Sequence, residues 1–310
     1  MISNDIDNDN DNDNDTDIPT ETDVPTFESV IEPWHKLPDH QNIPARSLPI
    51  DAPTPTVLLT GQAGSGKTTL LRQYLANDPM YGILCATTGI AAVNLGESVT
   101  TLHSLLRCAT VEDFRDDYGR GRMETKLLAL RKEGYRWLII DEVSMLHKSI
   151  LTYLVMALDR VNKFSALLNN PPLGLMLVGD FAQLAPIPDV LRDELGNVVM
   201  RGTKPKKEPV PWAFESIYWN RFEIIRLEKI WRQSSQRFLA ALSAIRTGNA
   251  IQGGLLIESA GANFVPNLAH SFDGCTIFGK NEEVDSFNQI RLAELTSDSK
   301  RFHSSAWTGL

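Results

Sequence analysis

Eight residues, Gly61–Thr68, read Gly-Gln-Ala-Gly-Ser-Gly-Lys-Thr and constrain this chain more than any other stretch. They follow an apolar run, Val57–Leu59, and precede a helical pattern, Thr69–Ala76. A strand, a glycine-rich loop ending in Lys-Thr, and a helix form the context in which the pattern G-x-x-x-x-G-K-[ST] binds phosphate. A glycine-rich turn without a function is the alternative, and the completeness of the pattern argues against it. The sequence therefore predicts that the chain binds a nucleoside triphosphate.

The residue types of this loop suit a triphosphate with its metal ion. Glycines let backbone N–H groups point inward at phosphate oxygens, where the following helix N-terminus adds partial positive charge. We expect Lys67 to reach the β- and γ-phosphates and the Thr68 hydroxyl to hold Mg²⁺. The expected nucleotide contacts are Gly61, Ala63, Gly64, Ser65, Gly66, Lys67, Thr68 and Thr69.

The charge of the chain is unevenly distributed. Its net charge of −9 arises within residues 1–32, which carry eleven acidic residues and no Lys or Arg, and the remainder is close to +2. Because the remainder is near neutral, the overall charge does not exclude a nucleic-acid partner. A hydrophobic share of 42% in 310 residues predicts a globular core.

The first 50 residues predict a disordered, acidic and proline-rich leader. Asn and Asp alternate over residues 4–17, so like charges repel and nothing apolar is available for burial. A calcium loop of the EF-hand kind starting at Asp5 would need Gly and Glu where Asn10 and Thr16 stand, so we expect no calcium site.

The cysteines and the apolar runs bear on localisation. Cys85, Cys108 and Cys275 lack the spacing of metal ligands, and an odd number of cysteines suits a reducing compartment. The N-terminus does not follow the pattern of a secretory signal, and no apolar run is long enough to span a bilayer. We expect a soluble protein without membrane association, cytoplasmic in a bacterium or phage-infected cell and nuclear in a eukaryote.

Two adjacent acids follow the apolar run Trp137–Ile140, which predicts a central parallel strand. Carboxylates at such a strand end are costly unless a metal or a proton-transfer role accounts for them. We expect Asp141 to hold Mg²⁺ through its water shell and Glu142 to deprotonate the attacking water. Capping of the following helix is the alternative.

A further predicted strand, Leu173–Val178, leads into the loop Gly179–Pro186. A glutamine just past a strand that neighbours the acidic pair can sense the γ-phosphate and its water. Gln183 is therefore a candidate catalytic residue.

The predicted strand Ile83–Ala86 opens onto hydroxyl- and glycine-rich residues, Thr87–Ala92 and then Gly96–Ser104. Ligand contacts lie at the carboxyl ends of strands in open α/β sheets, and hydroxyls with backbone N–H groups can hold nucleic-acid phosphates. On its own, His103 is more simply a satisfied polar side chain. The candidate contacts with nucleic acid are Thr88, Gly89, Thr101, His103 and Ser104.

Residues 111–135 are rich in charges of both signs and predict a solvated surface excursion before the next strand.

The order and spacing of these motifs resemble superfamily 1 helicases of the Pif1 and RecD/Dda-like branch. The similarity runs from Val57 to Leu295. It covers motif I at Gly61–Thr68, motifs Ia and Ib at Thr87–Ala92 and Gly96–Ser104, motif II at Asp141–Met145, motif III at Gly179–Pro186, and the approach to motif IV at Phe214–Gln233.

The resemblance implies an α/β P-loop NTPase with a RecA-like central parallel sheet. It implies a first lobe (1A) at residues 51–222, with 105–135 as a candidate 1B-type insertion, and part of a second lobe (2A) at 223–310. ATP and Mg²⁺ are the implied cofactors, and hydrolysis is coupled to 5′ to 3′ translocation on single-stranded DNA. Arg232 is implied to reach the γ-phosphate from the second lobe, although by itself it would be a surface residue before a helix.

Two departures from the family pattern leave alternatives open. In the family, a glutamine upstream of motif I contacts the adenine base. The only candidate for this role here is Gln41, which lies among prolines. Motifs V and VI are not found, so we expect a truncated chain that does not unwind DNA alone, or a protein partner that supplies them. The alternatives are a nucleotide- or DNA-binding module and the ATPase subunit of an exonuclease or recombination complex. A small-molecule kinase fits poorly with the third motif and the DNA-contact region.

Overall fold

The computed structural model describes residues 54–168, 170–193, 195, 197–259 and 276–295. The predictions made for the acidic leader, for Gln41 and for Cys275 lie outside the described residues.

A six-stranded, entirely parallel sheet with strand order β3-β2-β4-β5-β1-β8 forms the centre of the structure. This confirms the predicted α/β class with a central parallel sheet. A separate antiparallel hairpin is formed by β6 and β7. The strands are β1 Thr56–Gly61, β2 Gly82–Ala86, β3 Thr100–Thr101, β4 Trp137–Asp141, β5 Gly174–Gly179, β6 Met200–Arg201, β7 Lys204–Pro205 and β8 Glu223–Leu227.

Helices connect and cover these strands, as parallel connections require. The α-helices are α1 Lys67–Asn77, α2 Gly89–Leu95, α3 Leu102–Leu106, α4 Val111–Gly119, α5 Arg122–Lys132, α6 Lys148–Leu167, α7 Gln236–Arg246, α8 Ala250–Ser259 and α9 Asn281–Ala293. Short 3₁₀ turns lie at Val143–Met145, Ala213–Glu215 and Trp219–Arg221. No helix in the described ranges combines the length and the apolar character needed to cross a bilayer.

The sheet is buried on both faces, and its central strands are apolar except for Asp141 at the end of β4. All residues of β4 and β5 are buried. One face packs on α6 and the other on α1, where Leu70 and Leu71 are completely buried. Burial on both faces is what the continuous apolar runs predict for parallel strands.

The strand Glu223–Leu227 corrects one predicted domain boundary. It was expected to begin the second lobe, but it pairs in parallel with β1, from Val57 opposite Glu223 to Gly61 opposite Leu227. The first sheet therefore extends beyond residue 222, and the boundary predicted between 222 and 223 is wrong. The division into two lobes otherwise stays a prediction.

Residues 111–135 also differ from their prediction as a solvated excursion. They form α4 and α5, and both helices pack on α6. Phe114, Met123 and Leu127 are fully buried in the main core, at apolar positions that the surrounding charges mask in the sequence. Thr110 starts α4 with a capping box in which its hydroxyl accepts from the Asp113 N–H. The assignment of 105–135 as a 1B-type insertion stays a prediction.

The burial of Phe114 yields a stability prediction. Phe114→Ala should lower the free energy of unfolding by about 3–5 kcal/mol, because it leaves a cavity among α4, α5 and α6. The matched control is Phe164→Ala, since Phe164 on α6 is 53% exposed and should change stability by less than about 0.5 kcal/mol. Urea denaturation of both variants measures the difference. Equal losses would show that α4 does not belong to the core.

Candidate functional site

Glycines shape the loop between β1 and α1. Gly64 and Gly66 have φ angles of +82° and +88°, a region that side chains disfavour. A Cβ atom at Gly64 would lie 2.6 Å from the Cβ of Arg232, and one at Gly61 would lie 2.7 Å from the Leu227 carbonyl oxygen. Glycine is thus required both for the turn and for the close approach of residues 227–232.

The Lys67 ammonium lies inside this loop. Its Nζ donates to the carbonyl oxygens of Gly61 at 2.7 Å and Gln62 at 3.1 Å. The residue is 9% exposed, and burial lowers the pKa of Lys67 against the opposing effect of the Asp180 and Asp141 carboxylates. An ammonium group has three N–H donors, so a donor remains for a phosphate oxygen.

Thr68 and Asp141 meet at the edge of the same loop. The Thr68 hydroxyl donates to Asp141 Oδ2 at 3.4 Å, and the Glu142 N–H donates to Asp141 Oδ1 at 2.8 Å. Asp141 is 5% exposed, and burial raises its pKa. A carboxylate with an adjacent hydroxyl supplies the hard oxygen ligands that suit Mg²⁺.

Glu142 has an unusual backbone conformation. Its φ of +56° lies in the left-handed region, which is uncommon for a residue with a side chain. The Thr87 hydroxyl donates to its carbonyl oxygen at 2.8 Å and helps to hold this conformation. Burial and, next, the Asp141 charge raise the pKa of Glu142, which improves its capacity to accept a proton.

One cavity of about 500 Å³ brings the predicted catalytic residues together. Gly61 and Ser65, which were predicted to contact the nucleotide, do not line it. The Gly61 carbonyl accepts from Lys67, and Ser65 is buried. Trp231 also lines the cavity and was not predicted from the sequence. Its backbone N–H donates to the Gly64 carbonyl oxygen at 2.8 Å and so holds the loop. The lining residues are Ala63, Gly64, Gly66, Lys67, Thr68, Thr69, Asp141, Glu142, Gln183, Trp231 and Arg232.

Several known proteins are similar to this chain in sequence. A family model described as an AAA domain matches residues 47–188. The human ATP-dependent DNA helicase PIF1 is 30% identical over 206 residues, which are 62% of this chain and 27% of that protein. The ATP-dependent DNA helicase Pif1 of Bdellovibrio bacteriovorus is 31% identical over 248 residues, 77% of this chain and 50% of that protein. The chain belongs to the Pif1-like helicase family.

A solved structure agrees with this assignment. The Pif1 helicase from Candida albicans superposes with a TM-score of 0.52 at 25% identity, over 79% of this chain and 52% of that one. The Pif1-like chain therefore spans about half, or less, of the length of these relatives.

The Pif1-like chain places its predicted DNA-contact residues beside a second cavity. Thr88 and His103 line this cavity, which has a volume of about 460 Å³. The Thr88 and Thr101 hydroxyls accept from the N–H groups of Ala91 and Ser104, so both also cap helices.

Two further predicted DNA-contact residues, His103 and Gly89, lie in the same region. His103 meets the Phe114 ring edge-on at 5.5 Å, and burial lowers the pKa of this histidine. Gly89 begins α2, and a Cβ built on it would meet no atom within 4 Å apart from its chain neighbours and the backbone of its own helix. The structure thus groups these residues, and their contact with DNA stays a prediction.

The raised pKa of Glu142 predicts a pH-dependent change in stability. A carboxyl whose folded-state pKa exceeds its ordinary value of 4.5 destabilises the fold once pH rises through the folded pKa. Glu142→Gln removes this charge, so the variant should be more stable than the wild type near about pH 7.5. The difference should shrink as pH falls toward about 4.5.

Urea denaturation across this pH range measures the effect, with the exposed Glu133→Gln as the control. A Glu142→Gln variant that is less stable than the wild type at neutral pH would contradict this view of the site.

Proposed function

We propose that this chain contains the ATP-hydrolysing part of a DNA helicase-type motor, in which hydrolysis is coupled to 5′ to 3′ translocation on single-stranded DNA. One observation carries the proposal: a single cavity at the carboxyl edge of the sheet gathers Lys67, Asp141, Glu142, Gln183 and Arg232. The names of the relatives, ATP-dependent DNA helicases, support the same function.

The residues present fit a magnesium-bound triphosphate. The left-handed glycines leave the loop free of side chains where phosphates approach, and Lys67 keeps an N–H donor for them. Thr68 and Asp141 would hold Mg²⁺, directly or through water. When bound, the ion supplies positive charge that offsets the charge developing on the phosphates.

The chemical step falls to three side chains that line the cavity. Glu142 accepts the proton of the attacking water, a role that its raised pKa and its position beside Asp141 favour. Gln183 orients this water, and the Arg232 guanidinium neutralises negative charge on the transferred phosphoryl group. Trp231 ties the segment that carries Arg232 to the phosphate loop.

Substitutions at Lys67 and Glu142 separate binding from turnover. Lys67→Ala should abolish ATP hydrolysis and weaken nucleotide binding, because the contact with the phosphates is lost. Glu142→Gln should keep nucleotide affinity within about threefold of the wild type, yet lower the hydrolysis rate by at least about a hundredfold. Phosphate release and nucleotide titration measure the two quantities, and the exposed Lys132→Ala is the control for loss of a lysine. An unchanged rate in either variant would refute the assigned role.

For DNA, we propose that the strand passes the second cavity, near Thr88 and His103. His103→Ala should weaken binding of a fluorescent single-stranded oligonucleotide by about three- to tenfold while leaving nucleotide affinity unchanged. Lys132→Ala, which removes a positive charge outside that cavity, serves as the control. Equal effects of the two substitutions would contradict a role for His103 that is specific to the second cavity.

Strand separation is proposed only for a larger assembly. Because the chain spans about half or less of its relatives, we propose that further protein, in the same chain or in a partner, contributes to unwinding. We propose that the chain acts where DNA is found, in the cytoplasm of a bacterium or in a nucleus.

A further inference from the structure

One ion pair joins α7 to the carboxyl edge of the sheet. Asp180 follows β5 directly, and Arg246 is the last residue of α7. The guanidinium donates twice to the carboxylate, from Nη1 to Oδ2 at 2.5 Å and from Nη2 to Oδ1 at 2.6 Å. A two-pronged pair of this kind fixes orientation as well as distance.

The Asp180 carboxylate belongs electrostatically to the nucleotide site. Asp180 is 1% exposed. Burial lowers the pKa of Lys67, and of the carboxylates whose charge opposes this shift, Asp180 contributes most. Its charge also adds to the upward shift of the pKa of Glu142. Its own backbone carbonyl accepts from the Gln183 N–H at 3.0 Å, so the same residue shapes the loop that carries Gln183.

Without Arg246, this arrangement would oppose phosphate binding. The charges of three carboxylates, those of Asp141, Glu142 and Asp180, act on the Lys67 ammonium. The proposed roles in Mg²⁺ binding and proton transfer account for the first two, whereas Asp180 does not line the nucleotide cavity. A buried, unpaired carboxylate beside a triphosphate would repel it strongly, since charges interact over several ångströms when water is scarce.

We propose that Arg246 is a positioning residue of the nucleotide site: it neutralises Asp180 so that phosphates can enter, and it thereby links the position of α7 to nucleotide affinity. This inference rests on the proposed function. Arg246 acts through Asp180 on the phosphates, whereas Arg232 itself lines the cavity.

The geometry also separates this pair from an ordinary surface ion pair. The carboxyl side chain of Asp180 is 2% exposed, whereas the exposed fraction of Asp159 in its pair with Arg221 is 30%. The two arginine side chains are similarly exposed, at 33% and 35%. Because Arg221 does not line the nucleotide cavity, Arg221→Gln is a matched control for losing one Arg–Asp pair.

Binding of ADP with Mg²⁺, measured by calorimetry, tests the proposal on the full chain. Arg246→Gln should weaken ADP binding by about tenfold, because the Asp180 charge becomes uncompensated. Asp180→Asn should bind ADP no more weakly than the wild type. The double variant Asp180→Asn/Arg246→Gln should recover affinity to within about threefold of the wild type. Arg221→Gln should leave affinity unchanged.

A second readout separates neutralisation of charge from a purely structural role. In steady-state hydrolysis, Arg246→Gln should raise KM for ATP with little change in kcat, and the double variant should restore KM. A structural role would lower kcat and would leave the double variant as weak as Arg246→Gln.

The outcomes distinguish this inference from the function on which it rests. A wild-type chain that binds no ADP would overturn the proposed function itself. A wild type that binds, together with a folded Arg246→Gln of equal affinity, would overturn only the role of Arg246. If Arg246→Gln fails to fold, the Asp180→Asn and double variants still decide, because weakened ADP binding in both would contradict the proposal.

Discussion

The structure depends on bringing opposite charges together at the carboxyl edge of a buried parallel sheet. Lys67, Asp141 and Asp180 are each less than one-tenth exposed, so none of them can rely on water to offset its charge. Burial lowers the pKa of Lys67 and raises that of Asp141, which means that both groups hold their charge at a cost. A site of this kind is poised for a ligand that carries several negative charges with a divalent cation.

Backbone geometry makes this collection of charges accessible. The left-handed turns at Gly64 and Gly66 open the loop, and the left-handed conformation of Glu142 sets the path of the chain just after β4. The chain also passes close to the end of the neighbouring strand at Val143, since a Cβ added at Gly179 would lie 2.9 Å from the Val143 nitrogen. Strain concentrated beside a proposed catalytic carboxylate is consistent with selection for chemistry rather than for stability.

The parts of the site that local motifs encode were predictable from sequence. The phosphate loop, the acidic pair and Gln183 each follow an apolar run, and the structure places all of them at one cavity. Long-range pairing was not predictable in the same way. The position of β8 beside β1 depends on residues 166 positions apart, and the Arg246–Asp180 pair spans 66. The apolar residues of α4 and α5 were missed because charged neighbours hide a helical spacing that only packing on α6 reveals.

The proposed function requires a nucleotide-hydrolysing site in this chain that responds to a DNA strand. The decisive experiment compares the rate of ATP hydrolysis by the purified 310-residue chain with and without single-stranded DNA. We expect hydrolysis that depends on Mg²⁺ and rises when single-stranded DNA is added. Tight nucleotide binding with no hydrolysis under either condition would contradict it.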